Sequence, residues 1–264
     1  MTTRFNYMRA HSENAGFVFA LIVIIAAFMS PVHARASKLV DNLKAGKDQT
    51  VVCFGTSLTA TGQWVADLGK WLNTLDPAGK ARATVHKSGL SGQASQTGLN
   101  NLQSKVIKFN PNTVIIEFAI NDAYEGPNYS PKHPDYGITV EKSKANLAAM
   151  IERIQNALPG AEIIIQTMNP VWNSPNGSGV SATSRPGLAA YYEGYVQVAK
   201  KYNLLLVDHY KNWIKLREAD PELYKKYLRD GTHPTPEGSS AITFPEIKKA
   251  LTGCASFGCP NDEP

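Results

Sequence analysis

Two short segments near opposite ends of the chain contain the residue types that attack a carbonyl carbon. Ser57 follows an apolar run and a glycine, Gly55, which lets the backbone turn without a Cβ clash. Near the other end, Asp230 and His233 stand three residues apart in an Asp-Gly-Thr-His-Pro segment. On a tight turn such a pair sets carboxylate against imidazole, which fixes the tautomer and leaves the second ring nitrogen for a serine hydroxyl. We therefore predict a catalytic triad of Ser57, His233 and Asp230.

Two further segments supply donors for a developing negative charge. Ser91-Gly92 follows one β-type run, and Asn121-Asp122 follows the next one along the chain. Consecutive strands of a parallel sheet commonly pack as neighbours, so these loops should converge on the turn at Ser57. We predict an oxyanion hole formed by the backbone N–H groups of Ser57 and Gly92 and the side-chain amide of Asn121. Each such donor is worth about 10²–10³ in rate.

Each motif taken alone has a more ordinary explanation. A serine at a turn often caps a helix, and Asp-Gly often forms a turn. A metal site of Asp230, His233 and His209 is another alternative, although the sequence lacks His-Glu-x-x-His and paired-cysteine spacings. Residues 89–92 lack the Lys-Ser/Thr of a phosphate-binding Walker motif. We rank these alternatives below the triad and expect neither a metal nor an organic cofactor.

The motifs need a scaffold that brings distant parts of the chain together, and the sequence pattern indicates one. Five short β-type runs alternate with helical segments, and most runs are continuously apolar, as in strands buried on both faces. This alternation predicts an α/β fold with a parallel sheet covered by helices on both faces. The predicted strands are 50–54, 83–87, 113–118, 162–166 and 204–207; the predicted helices are 64–75, 99–109, 140–158, 188–202 and a last one after Pro236.

Two long connections, residues 121–137 and 169–186, follow predicted strands. Both should lie at the carboxyl edge of the sheet, where open α/β folds bind their ligands. They carry three aromatic residues, Tyr124, Tyr129 and Trp172. These side chains are candidates for stacking on a sugar ring, or they simply fix the loops in place.

Composition excludes several other classes of protein. With 43% hydrophobic and 19% charged residues, the 264-residue chain is typical of one folded domain rather than of a disordered or fibrous chain. Without the first 36 residues, 24 Lys and Arg face 21 Asp and Glu, and no dense basic block stands among them. This charge pattern argues against nucleic-acid binding.

Cys53 lies in an apolar run and should be a buried free thiol, while a disulfide between Cys254 and Cys259 is left open.

Residues 1–36 have the pattern of a secretory signal peptide. A positive start precedes an apolar run over residues 17–29, and Ala-Arg-Ala ends the segment at Ala36. The run is shorter than the roughly 20 residues of a membrane-spanning helix, which favours cleavage after Ala36 over a retained anchor. We expect a mature domain over residues 37–264 that is periplasmic or secreted, without a stable membrane anchor. Its oligomeric state is left open.

In this order, the four motifs resemble those of the SGNH (GDSL-type) hydrolase family. The residues that give the family its name correspond to Ser57, Gly92, Asn121 and His233, and the resemblance spans roughly residues 51–251. It implies a three-layer α/β/α sandwich around a mainly parallel, flavodoxin-like sheet of five strands.

The sequence departs from the usual family pattern at three positions. Thr56 stands where the family usually has Asp, Lys87 where it often has Asn, and Ala119 where it usually has Gly. The first two changes alter the support around the nucleophile turn, and the third adds a methyl group near the oxyanion pocket. None of them removes a reacting group.

The resemblance also implies a function. It predicts a serine esterase that hydrolyses carboxylic esters through an acyl-enzyme, acting on a small-molecule or glycan ester with a short acyl group or a carbohydrate O-acetyl group. One alternative is a lipid hydrolase of the lysophospholipase or thioesterase type. Another, of a different class, is a non-catalytic carbohydrate-binding protein with the same fold.

Overall fold

The structure is a computed structural model that describes Met1 and residues 37–127 and 129–253. The predicted signal peptide, Met1 apart, and both Cys254 and Cys259 lie outside the described residues. In the part of the chain that is described, no helix combines the length and the apolar character needed to cross a membrane.

A parallel sheet of five strands forms the centre of the fold. Its strand order is β2-β1-β3-β4-β5, and every neighbouring pair is parallel. This is the flavodoxin-like order, and it confirms the predicted fold class. The strands are β1 Gln49–Gly55, β2 Ala83–Gly89, β3 Thr113–Glu117, β4 Glu162–Gln166 and β5 Leu205–Val207.

Helices cover both faces of the sheet. The main ones are α1 Lys38–Lys44, α2 Ser57–Ala60, α3 Gln63–Leu72, α4 Ser95–Lys105, α5 Ala119–Asp122, α6 Val140–Ala157, α7 Leu188–Lys201, α8 His209–Ala219, α9 Pro221–Tyr227, α10 Pro236–Gly238 and α11 Phe244–Thr252. Side chains of α4, α6 and α7 pack with one face of the strands, and side chains of α1, α3 and α11 pack with the other. Successive strand residues alternate between these two cores, for example Val52 and Cys53 of β1, as the two-residue period of a strand requires.

Most predicted elements are confirmed within a few residues, and the differences have local causes. The helix predicted over 99–109 begins four residues earlier and ends at Lys105, where a separate 3₁₀ turn, Ile107–Phe109, follows. The last predicted helix is divided by a π-helical turn, Ser239–Thr243. Helix α8 was not predicted, because it carries several charged residues and buries only His209 and Trp213.

Strand register brings three loops together at one edge. Gly55, the last residue of β1, pairs with Gly89 of β2 on one side and with Glu117 of β3 on the other. The three strands therefore end side by side, and the loops that follow them share one edge of the sheet. The crevice outside the carboxyl ends of the strands, where the strand order reverses, is the usual ligand site of such folds.

Candidate active site

Ser57 stands on a tight turn between β1 and α2. Thr56 is the N-cap of α2, and its hydroxyl accepts a hydrogen bond from the Leu58 N–H at 3.2 Å. A Cβ atom on Gly55 would lie only 2.1 Å from Oε1 of Glu117, so the close approach of β1 and β3 at this point requires glycine. The turn holds the Ser57 side chain half-buried at the sheet edge.

Three predicted residues from opposite ends of the described chain form one hydrogen-bonded row. Oγ of Ser57 lies 2.8 Å from Nε2 of His233, and Nδ1 of His233 lies 2.7 Å from Oδ2 of Asp230. The second oxygen of Asp230 accepts the backbone N–H groups of Thr232 and His233 at 2.8 and 2.7 Å. Three hydrogen bonds thus fix the Asp230 carboxylate. Its bond to Nδ1 in turn orients the imidazole so that Nε2 faces Ser57.

The electrostatics of Asp230 keep it ionised. Partial burial raises the pKa of its carboxyl, but the N–H groups of His233 and Thr232 and the imidazole outweigh burial, so the pKa lies below its usual value. An ionised carboxylate at Nδ1 selects the tautomer whose Nε2 is free to accept a proton. The row therefore has the polarity that general-base activation of a serine needs.

The loop that carries Asp230 and His233 is held from below by the connection after β4. The Trp172 N–H donates to the Gly231 carbonyl at 3.0 Å, and the Trp172 indole N–H donates to the Leu228 carbonyl at 2.7 Å. The Asn169 amide donates to the Thr232 carbonyl at 2.8 Å. Gly231 has a φ of +85°, and a Cβ atom there would lie 2.2 Å from the Trp172 carbonyl oxygen.

Of the three aromatic candidates, only Tyr124 lines the cleft beside Ser57. Trp172 packs with Trp213 and Tyr224, which agrees with the alternative that it fixes the loop in place, and a stacking role for it stays a prediction. The hydroxyl of Tyr129 donates to the Gly92 carbonyl at 2.6 Å, which fixes the loop after β2. Tyr129 and Trp172 thus make hydrogen bonds that hold the loops around the site.

The predicted oxyanion donors meet at the same cleft. Ser57, Gly92 and Asn121 all line it. One N–H of the Asn121 amide donates to the Gln93 carbonyl at 2.9 Å, which leaves the second N–H available. Within the described residues, the backbone N–H groups of Ser57 and Gly92 have no hydrogen-bond acceptor. Gly92 has a φ of +73°, a conformation that a side chain would strain.

The alternative metal site is not assembled. In residues 37–127 and 129–253, no three His, Cys, Asp or Glu side chains lie close enough to share a metal ion. His209 is fully buried, its Nε2 lies 2.9 Å from Oε1 of Gln166, and burial lowers its pKa to about 3. His209 is therefore a buried packing residue at the start of α8. Cys53 is a buried free thiol, as expected, and burial raises its pKa.

Two buried carboxyl groups that the sequence analysis did not single out support the site. Glu117 accepts hydrogen bonds from the Thr56 N–H at 2.6 Å and from the Thr59 hydroxyl at 2.7 Å, directly beneath Ser57. Asp122 accepts the Ser95 N–H at 2.7 Å and the hydroxyl of Ser143, which ties α5 to the start of α4. The sequence feature that could have identified Glu117 is a single charged residue at the end of a mainly apolar strand.

Replacing Glu117 tests this support. Burial is the main cause that raises its pKa to about 8, from about 4.5 in an exposed chain, although the bonds from Thr59 and Thr56 lower it. The folded protein therefore holds the extra proton between these values, so this group's contribution to stability falls as pH rises from about 4.5 to about 8. Glu117→Gln keeps the acceptor and cannot ionise. In urea unfolding, the free energy of unfolding of Glu117→Gln minus that of the wild type should therefore be larger at pH 9 than at pH 6.

Glu117→Ala is the matched comparison. It leaves the Thr56 N–H and the Thr59 hydroxyl without their acceptor, at a cost of about 2–3 kcal/mol in the free energy of unfolding at pH 6. If Glu117→Gln instead followed the wild type at every pH, Glu117 would not titrate in this range.

Comparisons with known proteins identify the family of the chain. A sequence model described as the GDSL-like Lipase/Acylhydrolase family matches residues 53–241. A GDSL esterase/lipase of Arabidopsis thaliana is 26% identical over 216 residues, which cover 76% of this chain and 84% of that protein.

Solved structures show the same fold. The acetylxylan esterase of Geobacillus stearothermophilus superposes with a TM-score of 0.62 at 18% identity, covering 81% of this chain and 97% of that one. An alpha/beta hydrolase from the metagenome of Lake Arreo, Spain, superposes with a TM-score of 0.61 at 20% identity, covering 84% of this chain and 98% of that one.

Proposed function

The chain belongs to the GDSL-like lipase/acylhydrolase family, and from this premise we propose that it is a serine esterase that cleaves carboxylic esters through an acyl-enzyme. The observation that carries the proposal is the unbroken row from Ser57 Oγ to His233 Nε2 at 2.8 Å and from His233 Nδ1 to Asp230 at 2.7 Å. A binding protein without catalysis needs no such row, so the geometry favours the enzyme over the carbohydrate-binding alternative.

In the first half of the reaction, Ser57 Oγ attacks the ester carbonyl while His233 Nε2 takes its proton. The tetrahedral oxyanion accepts hydrogen bonds from the N–H groups of Ser57 and Gly92 and from the second amide N–H of Asn121. His233 then gives the proton to the departing alkoxide, and the C–O bond breaks to leave the acyl group on Ser57. Asp230 stabilises the imidazolium throughout.

In the second half, water replaces the alcohol. His233 removes a proton from the water as its oxygen attacks the acyl carbon, and the same oxyanion donors hold the second tetrahedral intermediate. Collapse returns the proton to Ser57 Oγ and releases the acid. Every proton in this scheme moves through His233, and the ester and one water molecule balance it.

The cleft supports a short acyl group or a polar alcohol as substrate. It has a volume of about 640 Å³ and is lined largely by small polar residues, among them Ser91, Ser178, Ser181 and Ser184. Pro127 and Val180 are the two aliphatic side chains among the residues that line it, which is few for binding a long hydrocarbon chain. One structural relative is an acetylxylan esterase, which adds weight to a carbohydrate O-acetyl ester.

A chain-length series tests this proposal. We expect kcat/KM for p-nitrophenyl esters to be highest for acetate or butyrate and at least tenfold lower for palmitate, because few aliphatic side chains line the cleft to cover the extra methylene groups. The series is run below the critical micelle concentration of the longer esters. A rise in kcat/KM towards long chains would favour the lipid hydrolase, and no hydrolysis of any ester would favour the binding protein.

We also propose that the chain is exported, with residues 1–36 as the signal peptide and residues 37–264 as the mature esterase domain. Support comes from the apolar run and from the Ala-Arg-Ala sequence that ends at Ala36. Expression of the full chain in a bacterial host, followed by N-terminal sequencing of the periplasmic fraction, should give Ser37 as the first residue. Recovery of the intact N-terminus in the membrane fraction would contradict cleavage and support a retained anchor.

A further inference from the structure

One cation in the wall of the cleft has no part in the reaction described above. Arg185 lies in the connection between β4 and α7, and its side chain lines the same cleft as Ser57 and His233. Its Nε donates to the Ile120 carbonyl at 2.8 Å, and Nη1 donates to the Ser181 carbonyl at 3.2 Å. These two bonds hold the guanidinium in one place.

The fixed guanidinium keeps unused hydrogen-bonding capacity. An arginine has five N–H donors, so the two backbone bonds leave three N–H groups free to bind something else. The ring of Tyr124 lies 5.0 Å from the guanidinium carbon and supports one face of it. Arg185 is therefore rigid and only partly satisfied, which is the state of a ligand-binding group rather than of a solvated surface arginine.

No carboxylate of the described residues neutralises Arg185. The ion pairs found there involve other cations, and none includes its guanidinium. The carboxylate that lines the cleft, Asp230, is already engaged by His233 and Thr232. Burial lowers the pKa of Arg185, as expected for a cation that loses solvent without gaining a counter-charge. Arg185 is half-buried, and a charge drawn out of water in this way is normally paired or binds a ligand, so the missing partner points to the substrate.

We propose that Arg185 determines specificity by binding an anionic group of the ester substrate, a carboxylate or a phosphate, while Ser57 attacks the ester carbonyl. This inference rests on the proposed esterase function and narrows its substrate class to acidic esters, such as an acetylated acidic sugar. A planar guanidinium with free N–H groups binds such oxygens by charge-assisted hydrogen bonds. An ester with a cationic group would be disfavoured by the same charge.

The test compares esters that differ in charge but carry the same reacting group. The alcohol-side pair is 4-acetoxybenzoate and its methyl ester, with 4-acetoxyphenyl phosphate added to separate phosphate from carboxylate. The acyl-side pair is the p-nitrophenyl hemiester of succinate and p-nitrophenyl butyrate. For each pair, the ratio of kcat/KM for the anionic and neutral ester is measured in the wild type, Arg185→Gln, Arg185→Lys and Arg153→Gln. Because both esters are measured on one variant, partial loss of folded protein cancels from the ratio.

In at least one pair, we expect Arg185→Gln to lower the anionic-to-neutral ratio by about 10- to 100-fold, the effect of losing a charge-assisted hydrogen bond. Arg185→Lys keeps the charge and should retain part of the ratio. Arg153 is exposed on α6 and away from the cleft, so Arg153→Gln should leave the ratio unchanged. Benzoate should also inhibit the wild type competitively and more strongly than benzamide.

Two other results would overturn the inference, and they are distinguishable. If Arg185→Gln lowered kcat/KM for anionic and neutral esters alike, with benzoate no better than benzamide, Arg185 would only support the loop, and the esterase function would stand. If the wild type hydrolysed none of these esters and Ser57 reacted with no fluorophosphonate, the esterase function itself would fail, and this inference with it.

Discussion

Replacing Ser57 with alanine should lower kcat for p-nitrophenyl acetate by about 10⁶-fold, the loss typical of removing the nucleophile of a serine triad. The hydroxyl lies 2.8 Å from His233 Nε2, and within the described residues no other hydroxyl bonds this imidazole. Alanine removes one oxygen atom from a half-buried turn whose backbone is held by Thr56 and Glu117, so the fold should remain. Stopped-flow and steady-state kinetics measure the rate, and circular dichroism checks the fold.

A matched control is Ser104→Ala, which removes an exposed hydroxyl from α4, where it bonds only the Asn101 carbonyl. This variant should keep kcat within about twofold, as expected of a surface substitution. A Ser57→Ala protein that kept full turnover would exclude the acyl-enzyme at this residue.

Replacing Asp230 with asparagine should lower kcat by about 10⁴-fold while the fold persists. Asparagine keeps the shape of the side chain and can still accept the N–H groups of Thr232 and His233 through its oxygen. Its amide, however, presents N–H to Nδ1 of His233 and so selects the opposite tautomer, in which Nε2 carries the proton. The imidazole then cannot take the proton of Ser57, and it loses the charge that stabilises imidazolium. The pH dependence of kcat and circular dichroism are measured together.

The control for this variant is Asp208→Asn. Asp208 accepts the Thr167 hydroxyl at 3.0 Å and pairs with Lys211 at 2.7 Å, both away from the imidazole row. Removing its charge should change kcat less than threefold, because its partner Lys211 is largely exposed and Asp208 makes no bond to His233 or Ser57. The reverse pattern, with kcat unchanged in Asp230→Asn and lost in Asp208→Asn, would assign the orienting role to Asp208 instead.

The strands were predictable because burial on both faces requires a recognisable pattern of apolar residues. A strand covered on both faces needs apolar residues at successive positions, and β4 reads as a continuous run that the structure reproduces without any shift. Short helices show no such pattern. Helices α2 and α5 have four residues each, less than two turns, so no apolar period can develop in them. The first was therefore predicted only as a turn, and the second only as the start of the long connection after β3.

The site was predictable where its chemistry is local in sequence. Asp230 and His233 lie three residues apart on one turn, so their spacing makes a carboxylate–imidazole contact possible without any long-range packing. The meeting of His233 with Ser57 depends on sheet order, which the alternation of strands and helices implies without giving distances. The resemblance to a known family supplied the rest of that expectation.

Other parts of the site depend on contacts between residues far apart in sequence. Glu117 supports Thr56 across 61 residues because β1 and β3 are neighbours in register. The Arg185 guanidinium is held at the cleft because it donates hydrogen bonds to the backbone carbonyls of Ile120 and Ser181. For Trp172 the sequence could not decide between stacking on a substrate and fixing the loop, because loop composition does not tell which side of a loop faces the cleft.

The most direct measurement of the central claim is the mapping of a covalent adduct. The full-length or mature protein is treated with a fluorophosphonate, digested and analysed by tandem mass spectrometry, with Ser57→Ala and heat-denatured wild type as controls. The account predicts a single phosphonyl adduct on Ser57 of the native protein and none in either control. An adduct on a different residue, or no adduct on the folded wild type, would contradict it.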